Sequence, residues 1–151
     1  MDRRRAVGRT HPLYDALGQA LAPYYEPPSA WYIRVPDLPV FIWHVAPVLE
    51  RRLAASPVAR YTGELRVTFY RSGLRMAFDS GRLLQVEPWR APDFGSAPDA
   101  GFPALVFLQL LLGYRSLGNL RQTFPDVWAS QNVALLLDSL FPARASWVMQ
   151  L

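Results

Sequence analysis

At 151 residues, 51% of them hydrophobic, the chain suits one folded domain and excludes a disordered one. The formal charge of +4 rests on 16 basic residues, all arginine and scattered, a skew that fits genome composition better than a nucleic-acid face. Cysteine is absent, which excludes disulfides, thiolate catalysis and thiolate metal sites and makes a cytoplasmic location the default.

Residues 1–10 are polar and basic, the flexible start of a single domain over 1–151, and no apolar core of signal-peptide length follows them. Leu13, Leu17 and Leu21 stand at helical spacing and predict a short helix over 11–21. The proline-dense stretch 22–29 holds neither helix nor ladder, so it connects to a strand over 31–35, WYIRV. Asp37 then caps a helix that starts near Leu38, with Pro39 in its first turn and Phe41, Val45, Val48 and Leu49 as its buried face. Pro47 is expected to kink or split that helix, which stops around residues 55–57.

The stretch 61–89 carries the clearest pattern. Leu65, Val67 and Phe69 alternate with polar neighbours, as do Leu74, Met76 and Phe78, and 83–86 forms a third run. Arg71-Ser72-Gly73 and Asp79-Ser80-Gly81 supply hairpin joints, with glycine at the positive φ that tight turns require. The result is an antiparallel meander with one apolar face.

Residues 90–101 read as loop and candidate mobile lid, because Pro92, Gly95, Pro98 and Gly101 leave no regular element room. The run 102–112 is apolar on nearly every side, so as a helix it must be buried all round, and Gly113 stops it. At eleven residues it is far below the ~20 needed to span a bilayer. Ser116 caps a short helix through Leu117, Leu120 and Phe124; Ser130 caps another through Val133, Leu136, Leu137 and Leu140. The tail carries Trp147, Val148, Met149 and Leu151, apolar enough to dock. The class is α+β: an antiparallel-rich sheet with helices on one face.

Chemical signatures are sparse. His11 and His44 lack ligand spacing to any partner, so no metal site is expected, and His44 reads as a hydrogen-bonded core residue. Glu64 and Glu87 sit on strands where Arg66 or Arg75 can pair with them, which favours structural charge pairs over acid-base work. No Walker or dinucleotide loop occurs, so no cofactor of that kind has a cradle in this chain. Two features stand out. The apolar sheet face (Leu65, Val67, Phe69, Leu74, Met76, Phe78) faces Phe107 and Leu111 across either a hydrophobic tunnel or a dense core. Tyr24, Tyr25, Trp31, Trp43, Trp128 and Trp147 form an aromatic set from which interface anchors can come.

The meander GELRVTFYRSGLRMAFDSGRLLQVE at 63–87, FLQLLLGYRSL at 107–117 and LLDSLFP at 136–142 together resemble the sterol carrier protein two-like domain. HPLYDALG at 11–18, WYIRVPDL at 31–38 and Ser146-Trp147-Val148 are similar to the C-terminal part of certain bacterial GNAT-type N-acetyltransferases. The family's acetyl-CoA turn, R/Q-x-x-G-x-G/A, is absent, so the resemblance implies the carrier-like half alone, with acetyl-CoA bound only by a partner acetyltransferase domain. It also implies a docking role for Trp31, Trp147 and Val148. In related multi-domain enzymes the C-terminal carboxylate serves as a base in the acetyltransferase site, which would make that of Leu151 the one catalytic candidate here; the alternative is a tail packed on its own sheet. Two functions are therefore expected: an accessory domain that docks on an acetyltransferase fold or on itself, or a standalone carrier of a lipid, sterol or other apolar molecule.

Overall fold

The computed structural model describes residues 33–90 and 97–144. The helix expected over 11–21 and the aromatics Tyr24, Tyr25, Trp31 and Trp147 lie outside them. Residues 33–35, the described part of the expected first strand, form no regular element; Pro36 follows at once and cannot donate to a ladder.

Helix α1, Leu38–Ala54, begins as the sequence predicts: Asp37 is the N-cap and its carboxylate accepts from Val40 N at 2.9 Å. It runs unbroken through Pro47, because that residue faces solvent and only its own missing N–H is lost from the ladder. The buried stripe is Ile42, Ala46, Leu49 and Leu53, so of the four residues expected to face inward only Leu49 is buried. Phe41 and Val45 are half-buried and Val48 is exposed, on a neighbouring face that is also apolar. That double face is why spacing alone misassigned the stripe. His44 is likewise exposed, its Nδ1 3.1 Å from Val40 O, and is not a core histidine.

The meander forms as read: β1 Gly63–Thr68, β2 Gly73–Asp79 and β3 Arg82–Pro88 pair antiparallel. At the second joint Ser80 (φ 50°) and Gly81 (φ 82°) carry the turn. At the first joint the positive φ belongs to Tyr70 (68°) rather than to a glycine. Gly73 serves close approach instead, since a Cβ there would stand 2.7 Å from the carbonyl oxygens of Val67 and Trp89. A bulge between Ala77 and Phe78 lets Leu83 oppose Phe78 and Val86 oppose Met76, leaving Leu84 as the extra, outward residue.

Two short strands complete the sheet: β4, Ala100–Gly101, runs parallel to β1, and β5, Trp128–Ala129, runs antiparallel to β4. The order is β3-β2-β1-β4-β5. Asp99 ties this edge together. Its carboxylate accepts from Arg66 N at 2.8 Å, its N–H donates to Arg66 O at 2.8 Å, and its carbonyl accepts from Ser130 N at 3.0 Å. The expected loop over 90–101 therefore ends in a strand.

Helices α2 (Ala104–Leu111), α3 (Leu117–Thr123) and α4 (Gln131–Leu140) follow. Gly113 (φ 71°) closes α2 with Gly113 N to Leu110 O and Tyr114 N to Gln109 O, both 2.9 Å, the two bonds of a Schellman motif. Ser116 caps α3 through Asn119 N at 3.2 Å, whereas Ser130 occupies the N-cap of α4 without a hydroxyl bond. The fold is α+β, with the helices on the sheet's apolar face. The opposite face carries Arg75 bridging Glu64 and Glu87, and Arg66 paired with Asp99. No polar or charged residue is buried among those described.

Candidate functional site

Sheet and α2 contribute to one hydrophobic cluster. Leu65, Val67, Leu74, Met76 and Phe107 are wholly buried, Phe78 and Leu111 are buried and Phe69 is half-buried, all in one cluster with the helices. Phe107 is the hub: its ring centroid lies 5.2 Å from that of Phe69, 5.4 Å from Phe102 and 5.9 Å from Phe141, the spacing of packed aromatic pairs. The eight residues expected to wall a tunnel thus belong to or pack against one hydrophobic cluster, and Leu111 among them also borders open space.

Open space lies behind them, between α1 and the end of α2. A cleft of about 220 Å³ is walled by Phe41, Val45 and Val48 of α1, floored by Leu49, and closed by Leu111, Leu112 and Gly113 on one side and Pro142 and Arg144 on the other. The Schellman turn creates it: the left-handed Gly113 brings its carbonyl to Arg144 N at 2.9 Å and folds the chain after α4 against the end of α2. Arg52 stands at its rim, Nη1 donating to Leu140 O at 2.9 Å, a cation at the negative end of α4. Burial, and then the charge of Arg144, push the Arg52 guanidinium below its usual range. Among the described residues no carboxylate pairs with Arg52 or Arg144, although Arg66 and Arg75 are both paired.

A second, more open cleft of about 450 Å³ lies between α1 and the β2–β3 turn, with Arg51 and Arg82 on its walls. Its one carboxylate, Glu50, already accepts from Leu83 N at 2.9 Å and thereby covers part of the edge strand.

The surface beyond the clefts is apolar in places where water is a poor neighbour. Val40 and Trp43 on α1 are each 52% exposed, and Leu105 on α2 is 67% exposed, so α2 is not buried all round: its outward side is simply apolar. Of the expected interface aromatics, Trp43 is exposed, while Trp128 lays its indole over Gly101, where a Cβ would stand 2.3 Å from Nε1. Trp31, Trp147, Val148 and the carboxylate candidate Leu151 lie outside the described residues. The pairing of Arg75 with Glu64 and Glu87 is the one their strand positions led us to expect; the Arg66–Asp99 pair and the Arg52–Arg144 cleft were not foreseen, and the signal present in sequence for the cleft was the extra apolar face of α1.

Comparison with family models, with curated proteins and with solved structures gives no match. Among the described residues no group of three His, Cys, Asp or Glu is placed to hold a metal, and no helix is long and apolar enough to cross a membrane.

Proposed function

We propose that this chain is a non-catalytic accessory domain that docks on a GNAT-type acetyltransferase fold and helps shape its substrate site, acetyl-CoA being held by the partner. One observation supports this above the others: large apolar side chains, Val40, Trp43 and Leu105 among them, are left in solvent beside a continuous hydrophobic core. Residues of that kind, aromatic and aliphatic on rigid helices, make good interface anchors.

Titrating the purified chain with bacterial GNAT-type acetyltransferase domains tests the idea. Saturable association is expected, and Trp43→Glu should weaken it by roughly tenfold or more. Absence of association with any such domain or with a second copy of the chain removes the docking role.

The carrier of an apolar molecule between sheet and helix has the Phe69–Phe107 contact against it. Native mass spectrometry of gently purified protein decides: a bound sterol or lipid would restore the carrier function.

A further inference from the structure

The cleft between α1 and the end of α2 has a composition that the docking role does not use. Its walls are aliphatic and aromatic, Phe41, Val45, Val48 and Leu112, and two arginines, Arg52 and Arg144, belong to its lining. Among the described residues Arg66 is paired with Asp99 and Arg75 with both Glu64 and Glu87, whereas Arg52 and Arg144, like Arg82 on β3, have no carboxylate partner. Arg52 and Arg144 face each other's charge with no carboxylate among the described residues, and one Arg52 N–H goes to the Leu140 carbonyl, leaving the other donors of its fork to a ligand. That backbone bond also fixes the head group in place. From the volume, about 220 Å³, the site falls below the ~300 Å³ at which drug-sized pockets begin, so its occupant is small.

We propose that this cleft binds a small carboxylate with an apolar tail, the tail along Phe41, Val45 and Val48 and the carboxylate between Arg52 and Arg144. Two guanidiniums supply the paired donors that a carboxylate accepts, and the anion relieves their mutual repulsion. The apolar walls alone would take an alcohol of the same length; the arginines give preference for the acid. The site borders the core through Leu49 and Leu111 and does not depend on an acetyltransferase partner.

Octanoate and 1-octanol are the probes, titrated into the full chain and followed by methyl resonances of Val45, Val48 and Leu112. Saturable octanoate shifts confined to these residues are expected within about 10 mM, with octanol at least about fivefold weaker. Arg144→Gln, on an exposed side chain, should bring octanoate down to the octanol level while leaving octanol unchanged. Val48→Asp, which sets a carboxylate facing the two arginines, should abolish octanoate binding with the far-ultraviolet circular dichroism intact. Equal affinity for acid and alcohol, shifts centred elsewhere, or no shift in that range overturns the assignment.

Discussion

Single residues carry constraints here that spacing does not reveal. Gly81 was legible as a turn glycine, but its larger constraint is the Ala59 carbonyl oxygen, 2.2 Å from where a Cβ would sit. Backbone cannot step aside cheaply and φ is 82°, so Gly81→Ala should cost at least about 2 kcal/mol in urea unfolding, more than the left-handed strain alone. Gly101 meets only the Trp128 indole at the sheet edge, and a side chain can swing; Gly101→Ala should cost less and should change the tryptophan fluorescence. Tyr61 offers a pH handle. Its hydroxyl donates to Glu64 O at 3.0 Å, and burial first, then Asp99 and Glu64, raise its pKa. A raised folded value means the contribution is whole below the unfolded pKa near 10 and is lost as pH climbs through the folded one. Tyr61→Phe should therefore cost up to about 1 kcal/mol at neutral pH, with the gap to wild type closing above about pH 10 in denaturation measured across that range.

At the scale of elements, the meander and the four helices were readable because each repeats its pattern over several residues. Leu65, Val67, Leu74, Met76 and Phe78 all point inward as alternation requires. β4 and β5 were not readable: each has two residues, too few to show a period, and β4 exists because Asp99 binds Arg66 and Ser130 on either side. The Leu84 bulge hid in an apolar run for the same reason. Helix α1 is not split at Pro47, and the position makes a prediction. The residue sits mid-helix on the solvent side, so Pro47→Ala adds an N–H to the ladder without disturbing the core. A gain of about 1 kcal/mol or more is expected, visible as a higher thermal midpoint. No gain would mean that the helix is strained at this point for another reason, such as the Arg51 Nε bond to the Pro47 carbonyl at 3.3 Å.

For the whole molecule the decisive feature is how the apolar surface is divided between core and solvent. Composition announced a surplus of aromatic and aliphatic residues but could not say where it would lie, because α1 and α2 are apolar on more than one side. The structure sends one face of each into a core with no fully buried polar residue among those described and leaves Trp43 and Leu105 outside. Whether the core is full bears directly on function, and Phe107 measures it. Its ring packs on Phe69 just after β1, Phe102 after β4 and Phe141 after α4, so truncation removes contacts to three parts of the fold at once. In a filled core Phe107→Ala should cost about 3–5 kcal/mol, a large share of the ~5–15 kcal/mol that holds a domain of this kind together. If sheet and helix already enclosed a ligand tunnel, the ring would line empty space and its loss would cost far less, while a bound apolar molecule would raise the midpoint in a concentration-dependent way. Urea unfolding of the variant, with and without added lipid, thus separates a packed docking domain from a carrier: a loss below about 1 kcal/mol together with lipid stabilisation would favour the carrier.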